Sequence, residues 1–319
     1  MNTKEKVLAG AAAATTTLTA LAFAAVDVVQ SKAIGVDKDA IPDDGTKPGM
    51  HLERKRLDEA QEAGAAWFRQ QPYETHYMTN KRGEKLCAYY LPPKDGCNVL
   101  AFICHGYKSN AFRNPMLFAR HYHEAYGYGL FFMDHTASGQ SEGEYVGLSG
   151  FESDDCILWM EYINHKIGDF QMIVHGVSMG GATVCQIAGK NPPINVKFCI
   201  DDCGFTGGKQ QLSYELSIRK VPVHPLIDML GIVNKAKAGY SFSDTDAHSR
   251  IYNATVPILF FHGECDTYVP TYMGREMYSA CPTDKELVII PDATHAACVL
   301  YDPDLYWSKV EEFAKKYLD

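Results

Sequence analysis

The sequence predicts an α/β fold whose central sheet is mostly parallel, with helices on both of its faces. Short apolar runs alternate with segments of helix length from about residue 73 to the C-terminus. The runs are continuously apolar, as expected of strands that are buried on both sides. Strands are predicted over residues 98–104, 128–134, 170–175, 196–202, 257–263 and 286–290.

Helical patterns fill the spaces between these strands. They cover residues 113–126, 150–167, 179–190 and 270–281. A last helix begins at Asp302-Pro303, where a capping residue precedes a proline at the first helical position. Before the first buried strand, the pattern predicts a helix over 51–71, followed by two strands that join at a turn around residues 80–85.

Residues 203–252 interrupt this alternation. About fifty residues separate two predicted strands, contain many apolar side chains and show no strand pattern. A crossover between neighbouring strands rarely needs so many residues. We therefore expect a small helical cap insertion here, within an α/β domain that covers residues 51–319.

The N-terminal residues resemble a targeting segment. Lys4 and Lys6 precede a charge-free run from Val7 to Val26. This pattern predicts a signal peptide or signal-anchor over residues 1–30, with membrane attachment through residues 7–26. A polar linker is expected over residues 31–50. The predicted protein is membrane-anchored or exported, and the open alternative is a cytoplasmic protein with an N-terminal helix.

Composition narrows the classes of partner. With 319 residues, of which 46% are hydrophobic, the chain can bury a large core. A net charge of −9 argues against nucleic-acid binding, because no basic stripe is present to neutralise phosphates.

Ten cysteines include no C-x-x-C pair, and Cys104, Cys185 and Cys199 lie in apolar runs. We expect no metal site, and the disulfide state stays open.

The segment "GVSMG", residues 176–180, has the pattern of a nucleophile elbow. A predicted strand precedes it and a predicted helix follows it, which is the context that a G-x-S-x-G motif requires. The small flanking residues allow the strand and the helix to approach closely. This arrangement would expose the Ser178 hydroxyl above the sheet as a nucleophile.

A serine needs a base and a group that orients the base. His295 follows the last predicted strand, and Asp266 lies three residues beyond the strand before it. Asp201 and Asp202 are the alternative acids, because they end the strand that precedes the insertion. The chain order Ser178, Asp266, His295 is that of a serine triad on this kind of sheet.

The predicted chemistry also needs two donors for an oxyanion. The backbone N–H of Met179, directly after the nucleophile, is one candidate. Tyr107 supplies the other, because it follows the His-Gly pair that ends an early strand.

These motifs resemble those of the α/β-hydrolases, in particular bacterial serine aminopeptidase-like and acyl-thioesterase-like hydrolases, which often have an N-terminal membrane segment. The resemblance runs from about Tyr73 to the C-terminus. The matching segments are "HGYKSN", "SGQSEGEYVG", "GVSMGGATV", "DDCGFTG", "HGECDTYVP" and "ATHA". One departure is "MDHTASGQSEG", where His135 and Thr136 replace the usual arginine region.

The resemblance implies an α/β-hydrolase fold and a serine hydrolase that acts on a small-molecule acyl substrate without a cofactor. We expect cleavage of a carboxylic ester. The alternatives are a serine aminopeptidase-type or thioester hydrolase, or a hydrolase fold that serves only for binding, including a membrane-tethered scaffold.

Overall fold

A computed structural model describes residues 26–33, Gly35 and residues 51–318 of the chain. The predicted N-terminal segment lies outside the described residues up to residue 25, and the predicted linker lies outside them from residue 36. Among the residues that are described, no helix is long and apolar enough to cross a membrane.

Eight strands form a single sheet in the order β1-β2-β4-β3-β5-β6-β7-β8. They are β1 Glu74–Thr79, β2 Lys85–Leu91, β3 Val99–Cys104, β4 Gly129–Asp134, β5 Gln171–Val177, β6 Val196–Asp202, β7 Ile258–Gly263 and β8 Lys285–Ile290. The β1–β2 and β2–β4 pairs are antiparallel, and every other neighbouring pair is parallel. The mostly parallel sheet that the sequence predicts is therefore confirmed.

Helices surround the sheet. Of the first, α1, the structure describes residues 26–33. The others are α2 His51–Phe68, α3 Met116–Tyr126, α4 Gly150–Lys166, α5 Met179–Ala188, α6 Gly208–Ile218, α7 Leu226–Ala238, α8 Ala247–Ile251, α9 Thr271–Ala280, α10 Cys298–Tyr301 and α11 Pro303–Tyr317. Helix α11 begins as expected from its sequence, because the Asp302 side chain accepts the N–H of Leu305 at 3.0 Å.

Two apolar layers enclose the sheet because successive side chains of a strand point to opposite faces. Phe102 belongs to a buried cluster that includes Trp159 of α4. The next residue, Ile103, belongs to the opposite cluster, with Phe118 of α3 and Tyr306 of α11. Every side chain of β3 is buried. This explains why the strands read as unbroken apolar runs.

The insertion between β6 and β7 carries α6, α7, a 3₁₀ turn at Phe242–Thr245 and α8. Residues 203–252 are all described, and they contain no strand. We call α6 and α7 the cap. The cap has its own apolar cluster, in which Ile227 and Leu230 of α7 pack with Val26 of α1.

Helix α1 overlaps both the predicted targeting segment and the predicted linker. The expected boundary between a targeting segment and a linker, after residue 30, falls inside α1. Within this helix, Val26 buries its side chain against the cap. Val26 is also the one residue of the predicted membrane segment that the structure describes.

Candidate active site

A sharp turn joins β5 to α5. Ser178 lies alone between them, with φ of 58° and ψ of −119°. A Cβ atom added at Gly176 would lie 2.0 Å from the carbonyl oxygen of Gly180, and one added at Gly180 would lie 2.2 Å from that of Cys104. Both flanking positions of the motif therefore need glycine, because strand and helix backbones are in contact.

The turn directs the serine towards a histidine. The backbone N–H of Ser178 donates to the carbonyl of Asp202 at 2.8 Å, which fixes the turn against β6. The Oγ atom of Ser178 lies 2.9 Å from Nε2 of His295. This is hydrogen-bond distance for a hydroxyl and an imidazole nitrogen.

Asp266 holds the other side of the imidazole. Nδ1 of His295 lies 2.7 Å from Oδ2 of Asp266, whose side chain is completely buried. Oδ1 of Asp266 accepts the backbone N–H groups of Tyr268 and Val269, each at 2.9 Å. A carboxylate in this position favours a proton on Nδ1, which leaves Nε2 free to accept the serine proton.

The structure thus brings three predicted side chains together from the loops after β5, β7 and β8. The alternative acids make other contacts. Oδ2 of Asp202 accepts the hydroxyl of Tyr306 at 2.9 Å. Oδ1 of Asp201 accepts the N–H of Gly204 at 2.8 Å, and its Oδ2 accepts the thiol of Cys185. Burial raises the pKa of Asp201 to about 7 and that of Asp202 to about 6.

The loop after β3, residues 105–109, borders the nucleophile, and we call it the oxyanion loop. A Cβ atom at Gly106 would lie 3.4 Å from Cβ of Ser178. The N–H of Gly106 is used elsewhere, because it donates to Oδ1 of Asn114 at 3.0 Å. The next amide along the loop is that of Tyr107. Met179 begins α5, and the first N–H groups of a helix have no acceptor within the helix.

The side chain of His105 fixes the oxyanion loop through two hydrogen bonds. Its Nε2 accepts the backbone N–H of His135 at 3.0 Å. Nδ1 must then carry the proton, and it donates to the carbonyl of Gly106 at 2.8 Å. Burial lowers the pKa of His105, which favours this neutral form. The sequence indicates only that this histidine ends a strand.

Two neighbours of His295 were not anticipated. The ring of Tyr268 packs against the imidazole of His295 with a centroid distance of 4.9 Å. The thiol of Cys203 lies beside the same pair, so that potential metal-ligating atoms of Cys203, Asp266 and His295 lie within 4.8 Å of one another. The shared hydrogen bond between histidine and aspartate already occupies two of these atoms. Neither neighbour has a signal in the sequence, since both contacts depend on how separate loops meet.

Known proteins share both the sequence motifs and the fold. Residues 98–203 match a family model described as serine aminopeptidase, S33. The uncharacterized protein YqkD of Bacillus subtilis is 27% identical over 248 residues, which are 77% of this chain and 80% of that protein. Mouse monoglyceride lipase is 29% identical over 124 residues, or 38% of this chain and 40% of the lipase.

A solved structure has the same architecture. Esterase Pf2001 of Pyrococcus furiosus aligns with a TM-score of 0.62 and 20% identity, over 78% of this chain and 94% of the esterase. The fold, the family model and the position of Ser178 at the end of β5 agree with one another. The chain has the fold of the α/β-hydrolases, and its sequence motifs and the matched family model are those of a serine hydrolase.

Proposed function

We propose that the chain hydrolyses carboxylic esters through an acyl-enzyme on Ser178, with His295 as the base and Asp266 as the acid that orients it. One observation carries this proposal. A continuous hydrogen-bond chain runs from Oγ of Ser178 through the imidazole of His295 to the buried carboxylate of Asp266, at 2.9 and 2.7 Å. This geometry supports proton transfer from the serine as it attacks a carbonyl carbon.

In the first step, Oγ of Ser178 attacks the ester carbonyl and its proton moves to Nε2 of His295. The carbonyl oxygen gains negative charge, and in this proposal the backbone N–H groups of Tyr107 and Met179 bind it. His295 then gives the proton to the departing alcohol. In the second step, His295 takes a proton from water, which attacks the acyl carbon. The bond to Oγ of Ser178 then breaks, His295 returns the proton to Oγ, and the acid is released.

The acidic side chains of the insertion over residues 203–252 favour an ester as the substrate over a peptide with a free N-terminus. An aminopeptidase needs a carboxylate that is placed to bind the substrate's α-amine. The four acidic side chains of residues 203–252 all have partners within this insertion: Glu215 with Arg219, Asp228 with Lys209 and His224, Asp244 with Ser241, and Asp246 with Ser249. The names of the Pyrococcus esterase and the mouse lipase point in the same direction.

A substrate panel tests the proposal. Purified protein would be given p-nitrophenyl butanoate, butanoyl-coenzyme A and leucine p-nitroanilide, and would also be labelled with a fluorophosphonate probe. We expect labelling and the highest kcat/KM for the ester. A preference for the thioester or the anilide would contradict ester hydrolysis but keep the serine mechanism. Absence of labelling and of turnover would favour a binding protein.

We also propose that residues 7–26 attach the enzyme to a membrane or direct its export. Support comes from the charge-free run over residues 7–26 and from Lys4 and Lys6, which precede it. Fractionation of cells that express the full-length chain tests this. Recovery of the protein in the cytoplasmic soluble fraction would contradict it.

A further inference from the structure

Helix α1 lies between the cap and the oxyanion loop. In its first described turn, Val26 packs against Ile227 and Leu230 of α7. Asp27 forms an ion pair with Lys237, at the other end of the same cap helix. The helix is therefore attached to the cap by an apolar contact and by a charged one.

At its C-terminal end, α1 contacts the oxyanion loop. The hydroxyl of Tyr107 donates to the carbonyl of Ala33. The ammonium group of Lys108 donates to the carbonyl of Lys32 at 2.7 Å. The last carbonyls of a helix have no partner within the helix, and a cation is favourable there. Side chains of the oxyanion loop thus provide the C-terminal cap of α1.

Tyr107 connects α1 to the loop that borders Ser178. Its side chain is half-buried, and burial together with the neighbouring hydroxyl of Tyr268 raises its pKa. The Tyr268 ring in turn packs against the imidazole of His295 at 4.9 Å. The loop that carries Tyr107 also carries Gly106, where an added Cβ would lie 3.4 Å from Cβ of Ser178, so the end of α1 lies beside the loop that borders the nucleophile. This places the inner face of α1 at the border of the substrate site.

Gln30 is the polar residue of that inner face. It lies one helical turn from both Val26 and Ala33, and 2% of its surface is exposed. Neither Oε1 nor Nε2 of its carboxamide has a hydrogen-bond partner in the part of the chain that the structure describes. A buried amide without partners is costly, and such groups are rare in folded proteins. A ligand that supplies both a donor and an acceptor would remove this cost.

We propose that Gln30 is a substrate-binding residue whose carboxamide hydrogen-bonds a hydroxyl group in the alcohol portion of the ester. This inference rests on the ester hydrolysis proposed above. The amide has a donor and an acceptor side by side, and a hydroxyl group can both accept and donate. An aliphatic acyl chain carries no hydroxyl group, so Gln30 hydrogen-bonds the alcohol portion of the ester.

Two nearly isosteric esters test the proposal in the full-length enzyme. The alcohol of 2-hydroxyethyl butanoate has a hydroxyl where propyl butanoate has a methyl group. We expect the native enzyme to favour the hydroxy ester by roughly three- to tenfold in kcat/KM, the value of one neutral hydrogen bond. Gln30→Met keeps the size of the side chain and should bring this ratio close to one. Ser31→Ala, at an exposed position of the same helix, should keep the native ratio.

Thermal unfolding separates binding from a structural role. Gln30→Met removes a buried polar group that has no partner, so its Tm should equal or exceed that of the native protein. An unchanged ester ratio in Gln30→Met would overturn the proposal. A lower Tm together with an equal loss on both esters would also overturn it, because Gln30 would then act only in folding. If the native enzyme hydrolysed neither ester but did cleave thioesters or anilides, the proposed function would fail instead.

Discussion

Ser178 has a backbone conformation that residues other than glycine rarely adopt, with φ of 58°. Such strain costs about 1–3 kcal/mol and occurs most often at functional sites. The strain belongs to the backbone, so Ser178→Ala should keep it and should lose only the hydroxyl bond to His295. We expect turnover to fall at least about a thousandfold. We expect Tm to change little. Ester hydrolysis, fluorophosphonate labelling and calorimetry of the same preparation measure both effects.

A Ser178→Ala protein that kept a tenth or more of the native activity would contradict the nucleophile assignment. Thr183→Ser is a suitable control. Its hydroxyl bonds the carbonyl of Met179 within α5, so the variant keeps this hydrogen bond and should keep activity.

Asp266 and Asp202 can be distinguished by the same substitution. Asp266→Asn replaces the acceptor of the Nδ1 proton of His295, and the wrong tautomer should lower kcat by on the order of a thousandfold or more. Asp202→Asn instead alters the bond to the hydroxyl of Tyr306 inside the fold. We expect it to affect stability more than kcat. Steady-state kinetics and Tm for both variants test this. A severe loss of kcat in Asp202→Asn with a mild one in Asp266→Asn would exchange the two roles.

At the level of elements, the apolar runs predict the strands closely, because burial on both faces leaves a clear pattern. The strand predicted over 170–175 is longer in the structure and ends at Val177. Glycine usually weakens a strand, but Gly176 continues β5 by pairing with β6. The tight approach of α5 explains this glycine. From the G-x-S-x-G motif alone, Gly176 is predicted to begin the turn.

Helix α1 could not be placed from its sequence for a different reason. Its C-terminal contacts are made by the backbone carbonyls of Lys32 and Ala33, and carbonyl groups leave no pattern in a sequence. The partner side chains, Tyr107 and Lys108, lie more than seventy residues away in the chain. The triad residues were predictable because their chemistry restricts the residue types. The contacts that position them depend on tertiary packing.

Helix α4 carries a buried carboxyl group that should make stability depend on pH. Oε1 of Glu152 accepts the N–H of Gly147 at 2.7 Å, and Oε2 has no partner among the described residues. Burial raises the pKa of Glu152 from 4.5 to about 7. The folded protein then binds the proton more tightly than the unfolded chain, so stability decreases as the pH rises between these two values.

We expect Glu152 to lower the free energy of unfolding by about 3 kcal/mol between pH 4.5 and pH 8. Glu152→Gln removes this ionisation and should make the dependence shallower, while Asp201 and Asp202, whose pKa values burial also raises, keep their share of it. Tm measured in steps from pH 4.5 to pH 8 tests it. Glu161→Gln, at an exposed position of α4, serves as the control and should keep the native slope. Equal slopes for the native protein and Glu152→Gln would contradict the prediction.

In the whole molecule, three parts of the chain converge on the carboxyl edge of the sheet. The triad loops come from the sheet, α1 comes from the N-terminal part, and α6 comes from the cap. The side chain of Gln211 in α6 donates to the carbonyl of Tyr268, and the hydroxyl of Tyr214 donates to that of Thr267. Helix α6 is therefore fixed directly over the loop that orients His295.

This arrangement predicts how activity depends on the length of the acyl chain. Leu212 of α6 contacts both the main core and the cap cluster, which places an apolar side chain between the cap and the sheet. Each buried methylene contributes about 0.8 kcal/mol, so two more carbons should raise kcat/KM about tenfold until the site is full. Medium-chain p-nitrophenyl esters should therefore exceed the acetyl ester.

Two variants of α6 test whether the cap provides this surface. Leu212→Ala removes apolar area at the junction and should flatten the rise from acetyl to hexanoyl esters. Ile218→Ala is the matched control, because Ile218 is 48% exposed at the end of the same helix and should leave the profile unchanged. Initial rates for the acetyl, butanoyl, hexanoyl and octanoyl esters give the four-point profile for each protein. A flat native profile, or the same flattening in both variants, would show that the cap does not bind the acyl chain.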